Sequence, residues 1–515
     1  MPVEKMLSRI LCEKRRLTCI GRPAAAYIAD KRGERMESWL CAVHRAVWGL
    51  PTLLSFLGCG LFLTVRLRAV QLRRLPAACR AVFSFRGRQA GRGMSPFGAL
   101  TAALAATLGT GNIVGVATAV AAGGPGAVFW IWVSALLGMA THYAETVLAV
   151  RFRRRRQDGY AGGPMYYMAD GLGMPRLAAF FAAALLLASF GIGNLAQANS
   201  IAAAVDGLIG LPHWLTGLAT AALAAVVLAG GTRRLERVSL RAVPAMALLY
   251  LLLSLVIIGR NPAAVPGAFR AILHGALSRE ALAGGAAGSG LLALRYGVAR
   301  GVFANEAGLG SSVIAHAESQ ESDPARQGLW AIFEVFFDTI IVCTVTALML
   351  LCSGCVGSGL TGAALTAAAF ASAFGAAGQA LLAGVILLFS FTSLAGWSHY
   401  GSRAAEYLFG PRGAAVYKVL FVLAVLPASC FGVAAAWQLC DILNVLMAFP
   451  NLYAVVRLWS GRNADGRPPP EQDAGGSKGT RHGAVRGKAA KTARQSCAET
   501  EESGPYPGKR DARIG

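Results

Sequence analysis

The sequence predicts an all-α polytopic membrane protein of about 11 transmembrane helices: one extra N-terminal helix followed by two five-helix halves inverted relative to each other. Three observations predict it. The 515-residue chain is 55% hydrophobic and only 15% charged, with a mean hydropathy of +0.51, whereas soluble domains carry about 25% charged residues. The apolar residues form long continuous runs near the ~20 residues that cross a bilayer core as a helix, not the alternating short segments of a β-barrel. Two of these runs, five spans apart, are interrupted by glycines and polar residues at mid-depth.

The runs fall roughly at 46–66, 97–121, 126–150, 177–206, 213–230, 238–259, 284–316, 328–352, 378–407, 414–435 and 436–459. Loop charge orients them, because positively charged loops stay in the cytoplasm. The segments "RLRAVQLRRLPAACRAVFSFRGRQAGR" (66–92), "RFRRRR" (151–156) and "TRRLERVSLR" (232–241), and the loop with Arg403, Arg412 and Lys418, follow alternate spans. The loops between them, such as "GLIGLP" and "CSGCVGSGL", carry almost no positive charge. A multi-pass protein of a bacterial-type inner or plasma membrane with a cytoplasmic C-terminus is expected. Residues 1–35 disobey the pattern, since "EKRRLTCIGRPAAAYIADKRGER" would lie outside, and they lack the apolar core of a signal peptide. A misassigned extension, with translation starting at Met36, is the expectation; a basic extension that crosses is the alternative. The expected units are thus the extra helix at 36–66, a first repeat at 95–260, a second at 284–460, and a disordered basic tail at 461–515, rich in Pro, Gly, Ser, Lys and Arg.

The net charge of +23 resides in loops and tails, so anionic lipid is the expected macroscopic partner rather than nucleic acid. No aromatic-basic interleaving or zinc module argues for nucleic acid, and no phosphate-loop signature for a nucleotide. The 11 cysteines are odd in number and irregularly spaced. Cys352 and Cys355 have metal-ligand spacing without a second pair, so the cysteines read as small hydrophobes.

The first interrupted run reads "LAATLGTGNIVGVATA" (104–119). Interior glycine costs about 1 kcal/mol relative to alanine, and backbone freed in a membrane must be satisfied by protein or by a water-filled cavity. Close helix packing is one use for Gly109 and Gly111, since Ala102, Ala105 and Ala106 extend a small-residue face. Asn112, Thr107 and Thr110 beside them point instead to a polar site. The second run, "GGAAGSGLLALRYGVARGVFANEAGLGSSVIAHA" (284–317), holds Gly301, Asn305, Glu306, Gly308 and Gly310. Two such segments at corresponding positions point to a transporter's binding site. A half-helix N-terminus captures a carboxylate. Unwound carbonyls and hydroxyls suit a hard cation, so a zwitterionic amino acid with Na⁺ is a natural ligand set.

The stretches "GTGNIVGVATAVAAGGPGAVFWIWVSALLGMATHYAE" (109–145), "GGPMYYM" (162–168), "RGVFANEAGLGS" (300–311), "FSFTSLAGWSHYG" (389–401) and "LMAFPNL" (446–452) closely resemble the alanine/glycine:cation symporter family, from about Trp48 to Leu458. The resemblance implies a LeuT-type inverted-repeat fold and import of alanine or glycine with Na⁺ or, in some members, H⁺. It places the substrate carboxylate at Gly109, Thr110 and Gly111, with Asn112 ordering that loop or a nearby cation. Phe303, Ala304 and Asn305 would contact substrate at the second break, and family sequences often have Ser where this chain has Ala304. Trp397 resembles the family's pocket tryptophan, which limits side-chain size; an interfacial or core aromatic is its structural alternative. Fold-level likeness implies a Na⁺ site made of the carbonyls of Ala105, Leu108 and Phe389 and the hydroxyls of Thr392 and Ser393. Adjacent hydroxyls can also merely bond back to the preceding turn.

Ionisable residues inside spans are costly and usually functional. Glu145, Glu306 and Asp338 qualify as gating or structural groups, with Glu306 expected to pair with Arg300; Glu334, Glu406 and Asp441 lie in spans too. His142 could relay protons, although the family commonly shows other polar residues there. Gln197 and Asn199 could approach the pocket. A symporter is the leading reading, an uncoupled or proton-coupled carrier of the same fold the alternative. An intramembrane enzyme would need a partner set for His142 and Glu145 that the sequence does not supply.

Overall fold

The computed structural model describes residues 42–43, 46–84, 93–157, 159–278, 289–431 and 433–461. The expected extension at 1–35, the alternative start at Met36 and the tail beyond 461 lie outside them.

The helices are α1 (Leu50–Arg66), α2 (Pro96–Thr107), α3 (Gly111–Gly123), α4 (Gly126–Arg151), α5 (Pro175–Ile209), α6 (His213–Ala229) and α7 (Gly231–Gly259), then α8 (Val265–Leu277), α9 (Ser289–Asn305), α10 (Val313–Ala317), α11 (Pro324–Cys352), α12 (Gly362–Phe374), α13 (Ala376–Ser429) and α14 (Val433–Ser460). Short helical pieces at Val70–Arg73 and Leu75–Phe83 carry the basic segment after α1. Proline and a capping side chain set several starts. Ser95 accepts a hydrogen bond from the Gly98 amide at 3.0 Å ahead of Pro96, and Asp323 accepts from the Ala325 amide at 2.9 Å ahead of Pro324.

Among the described residues, 6 helices are long and apolar enough to cross a membrane: α4, α5, α7, α11, α13 and residues Trp437–Ser460 of α14. There are 7 when the bent pair α2 and α3 is taken as one span. The chain is therefore a multi-pass helical membrane protein. Helices α1, α6 and α12 are apolar but shorter. The 54-residue α13 would reach about 80 Å if straight, far beyond a bilayer. Gly410, with φ 73° and ψ −170° and followed by Pro411, breaks it, in the gap expected between the spans at 378–407 and 414–435.

Three features depart from an uninterrupted set of spans. Helices α8 and α12, each of 13 residues, are too short to cross. Helix α8 instead buries Ala268, Ile272 and Ala276 against its neighbours, and its Gly275 approaches Gly126 so closely that an added Cβ would lie 2.9 Å from the Gly126 nitrogen. The basic stretch after α4 forms a two-stranded antiparallel hairpin, Arg154–Arg156 with Gly159–Ala161, an exception to the all-α expectation.

Packing relies on small residues, as expected where lipid supplies no hydrophobic drive between helices. Gly297 and Gly301, one turn apart on α9, seat that helix on α4. An added Cβ at Gly297 would stand 2.6 Å from the Trp130 Cβ, and one at Gly301 3.1 Å from the Ser134 Cβ. The interrupted segments are thus carried at the centre of the bundle, where Leu108, Thr110, Asn112, Ala304 and Asn305 are all buried.

Candidate substrate and cation site

Helix α2 stops at Thr107 because Leu108 leaves the helical region (φ −70°, ψ 87°). The chain re-enters a helix at Gly111 with its hydrogen bonds widened by one residue through Gly115, and α2 and α3 bend by 54°. Asn112 staples the break. Its Oδ1 accepts from the Gly109 amide at 3.1 Å, and its Nδ2 donates to Asp338 Oδ1 at 2.6 Å and to the Asp338 carbonyl at 3.2 Å. Asp338 itself sits in a second widened stretch, Phe336–Cys343 of α11. Such local unwinding is frequent at functional sites.

Helix α9 runs through Phe303, Ala304 and Asn305, so these three close the helix and the second break begins at Glu306. Glu306 adopts φ 53°, and Gly308 and Gly310 adopt φ 90° and 76°, before α10 resumes at Val313. Left-handed backbone is disfavoured for a glutamate, and its carboxylate is held from both sides. Oε1 accepts from Trp397 Nε1 at 3.0 Å and Oε2 from the Ser311 hydroxyl at 2.5 Å. Glu145 supports the same loop, accepting from the Gly308 amide at 3.2 Å and from Asn451 Nδ2. Asn451 also donates to the Gly308 carbonyl at 2.9 Å and accepts from the Tyr167 hydroxyl.

The two interrupted helices touch beside their breaks. An added Cβ at Gly111 would lie 2.8 Å from Phe303 Cδ1 and 3.9 Å from the Ala304 Cα. Gly93 and Met94, just before α2, meet the end of α10, with the Met94 amide donating to the Glu318 carbonyl at 3.0 Å and the Gln320 amide to the Met94 carbonyl at 2.8 Å. Gln197 of α5 approaches Gly109, its Nε2 3.7 Å from an added Cβ there. Asn199 instead donates to the Phe431 carbonyl. Asn305 folds over its own turn, accepting from the Ala307 amide at 3.0 Å, with its Nδ2 toward Gly138 of α4. The Thr107 and Thr110 hydroxyls, Asn305 Nδ2 and Gln197 Oε1 are buried without a partner among the described residues.

Of the cation candidates, Ser393 on α13 donates to the Ala106 carbonyl at 2.8 Å, joining α13 to the end of α2. Thr392 bonds back to the Leu388 and Phe389 carbonyls, each at 3.0 Å. Trp397 is fully buried, with its Cγ 2.9 Å from where a Gly193 Cβ would stand. Gly193→Ala must therefore displace the indole from Glu306. Overpacking of this kind costs about 1–3 kcal/mol, and the expected outcome is a lower thermal midpoint in detergent together with slower uptake.

One expected pairing is corrected. Arg300 does not meet Glu306. Its guanidinium bonds Asp441 Oδ2 at 2.5 Å and lies over the rings of Phe303 and Trp437 at 5.5 and 5.8 Å. One helical turn separates Arg300 from Ala304, so it faces α14, while the left-handed turn at Glu306 aims that carboxylate toward α13.

A second polar cluster lies at the far end of α10. Glu318 Oε1 accepts from Arg403 Nε at 2.6 Å and faces His399 Nε2 at 3.0 Å. Arg403 also donates to Glu406 Oε2 at 2.9 Å and to Thr232 at 3.1 Å, and Arg156 completes the network on Glu406. Burial alone would raise the Glu318 carboxyl, but the charges of Arg403 and His399 outweigh it and hold it at about 2. A cavity of about 350 Å³ opens beside Thr232, Ser398, Arg403 and Glu406.

The model of the sodium:alanine symporter family matches residues 33–464. The chain belongs to this family. Among curated proteins, an uncharacterized transporter of Haemophilus influenzae is 45% identical over 82% of this chain and 94% of its own length. The sodium/alanine symporter AgcS of Methanococcus maripaludis is 42% identical over 81% and 93%, and the probable sodium/glutamine symporter GlnT of Bacillus subtilis is 35% identical over 80% and 86%. Among solved structures, a Na⁺-coupled sialic acid symporter aligns over 77% of this chain and 82% of its own at a TM-score of 0.48 and 13% identity. Like its relatives in the sodium:alanine symporter family, the chain is a transporter and not an enzyme.

Sequence reasoning missed Asn451, Ser311 and Tyr167. Asn451 follows Pro450 inside an apolar run, and that buried amide was the available signal.

Proposed function

We propose that the chain is a secondary active symporter that imports a small neutral amino acid, alanine or glycine, together with Na⁺ by alternating access. The observation that carries this reading is the contact of two interrupted helices, with Gly111 of one against Phe303 of the other. Membership of the sodium:alanine symporter family and the named relatives support the substrate and ion classes. The eleven spans, the inverted five-plus-five repeat and the LeuT-type fold are part of the proposal, as are the cytoplasmic placement of the basic loops and of the C-terminus.

In this reading the start of α3 takes the substrate carboxylate near Gly109, Thr110 and Gly111, helped by the positive end of the helix dipole, although the Gly109 amide is itself held by Asn112 Oδ1. Phe303, Ala304, Asn305 and Trp397 shape the space for a short side chain. The carbonyls of Ala105, Leu108 and Phe389 and the hydroxyls of Thr392 and Ser393 take Na⁺ as co-substrate. Three carbonyls and two hydroxyls are a hard, uncharged donor set suited to a weakly held monovalent ion. The Thr392 hydroxyl would first leave its own preceding turn. Glu145 and Glu306 hold the second break, Asp338 holds the first through Asn112, and Arg300 ties α9 to α14.

Uptake of labelled alanine into proteoliposomes with and without a Na⁺ gradient tests the reading. Gradient-dependent accumulation is expected, and uptake indifferent to Na⁺ would favour a proton-coupled or uncoupled carrier. Ser393→Ala removes the hydroxyl that already crosses to α2. The Na⁺ concentration for half-maximal uptake should rise roughly fivefold or more, the lower bound of typical site-to-site coupling. Thr392→Ala, whose hydroxyl is held by its own helix, should shift it less. If Ser393→Ala keeps the unaltered Na⁺ dependence, the cation binds elsewhere.

A further inference from the structure

His142 on α4, His316 on α10 and Glu334 on α11 meet in the bundle interior, and all three are buried. One nitrogen or oxygen from each lies within 4.8 Å of the others. His142 Nε2 stands 3.1 Å from Glu334 Oε2, and His316 Nε2 stands 2.6 Å from the same oxygen. Ligand atoms around a tetrahedral Zn²⁺ with bonds of about 2.0–2.1 Å are roughly 3.3 Å apart. The His142 side of the triangle is close to that spacing, and the His316 side opens to it by less than about 1 Å.

The outer contacts are also in place. His142 Nδ1 faces Glu145 Oε2 at 3.3 Å, and His316 Nδ1 faces the Gln327 side-chain amide at 2.8 Å. Metal-binding histidines almost always give their second nitrogen to such a partner, which fixes ring and tautomer. Turning the Gln327 amide over would present its oxygen, which has no partner among the described residues, to that ring nitrogen. Glu334 Oε1 is likewise buried and unpartnered among them. The Ser312 hydroxyl lies 3.2 Å from His142 Nε2. The charge balance is compatible with an ion. Two carboxylates, Glu145 and Glu334, share this interior with two imidazoles, and a divalent cation with both rings neutral makes the group electrically neutral where unbalanced charge is expensive.

We propose that His142, His316 and Glu334 form a binding site for a divalent transition-metal cation, and that the bound ion clamps α10 to α4 and α11. Two imidazoles with one carboxylate suit a first-row transition ion such as Zn²⁺, Co²⁺ or Fe²⁺, whereas Mg²⁺, Ca²⁺ and Na⁺ prefer oxygen alone. Because α10 is the second half of the interrupted helix, a clamp there slows any cycle in which that half moves. This consequence rests on the transport reading above; the site itself does not.

The test uses full-length, tag-free protein in detergent, titrated with Co²⁺ and separately with Zn²⁺. The expected result is the visible absorption of tetrahedral Co²⁺, saturating at one ion per chain, and one Zn²⁺ retained through dialysis. His316→Ala and Glu334→Gln should lose both signals. His213→Ala, on the ring that faces Asp206 at 3.4 Å at the start of α6, should keep them. No absorption and no retained ion in the unaltered protein would overturn the site without recourse to any variant. So would full retention by Glu334→Gln and His316→Ala, which would put the ion elsewhere. In proteoliposomes, Zn²⁺ at saturating occupancy should slow alanine uptake at least tenfold, and unchanged uptake with the ion bound would overturn the clamp. The titration needs no transport, so its failure and a failure of the symport reading are seen separately.

Discussion

Gly111→Leu is expected to cripple alanine binding while the chain still inserts in the membrane. The Cβ alone would stand 2.8 Å from Phe303 Cδ1 and 3.0 Å from Cε1. Phe303 has little room to yield. Its ring centroid lies 5.2 Å from that of Trp437, and Arg300 covers it at 5.5 Å while tied to Asp441. Three further carbons must then enter the space between the two breaks. Overpacking costs about 1–3 kcal/mol in ordinary cores, and here the displaced atoms are the ones proposed to touch substrate. A loss of at least 100-fold in alanine affinity, about 2.8 kcal/mol, is expected by calorimetry at saturating Na⁺. Leucine inserts readily into membranes, so the amount of membrane-integrated protein should not change. Normal alanine affinity in this variant would make the glycines packing residues and sink the broken-helix argument.

Arg403→Ala should produce the largest loss of stability. Arg403 bridges Glu318 at the end of α10, Glu406 on its own helix and Thr232 at the start of α7. Removing it leaves the Glu318 carboxylate, whose side chain is 3% exposed, with His399 as its remaining charged neighbour among the described residues. Breaking one partner of a buried pair costs about 3–5 kcal/mol. The thermal midpoint in detergent should fall, and Glu318→Gln added to Arg403→Ala should restore part of the loss. An unchanged midpoint would mean that the network is solvated and the pair contributes little. The pH dependence has a definite sign. The folded Glu318 carboxyl is held at about 2, below the ~4.3 of a free glutamate. Its contribution is present above the free value and is lost only as pH falls from about 4 through 2. Between pH 5 and 8 the Glu318 carboxyl itself therefore adds no pH dependence to the Arg403 effect.

Composition and the period of apolar residues sufficed to read a helical, multi-pass membrane protein, because a bilayer imposes a fixed run length and leaves no other way to satisfy the backbone. The glycines at 109, 111, 308 and 310 marked both interruptions for the same reason: a residue that weakens a helix in lipid must be compensated nearby. Other features were decided only in three dimensions. The sequence could say that Asn112, Glu306 and Arg300 each need a partner, since an unpaired polar group in this interior is expensive. It could not choose among the candidates. Asp338, Trp397 and Asp441 lie 226, 91 and 141 residues away, and no local period encodes such separations. The same holds for the meeting of His142, His316 and Glu334, and for Thr392 and Ser393, adjacent in sequence. The Thr392 hydroxyl turns back on its own helix and also meets Met246 of α7, while that of Ser393 reaches across to α2, because successive side chains on a helix point about 100° apart and only the packing of α13 decides which neighbour each one meets.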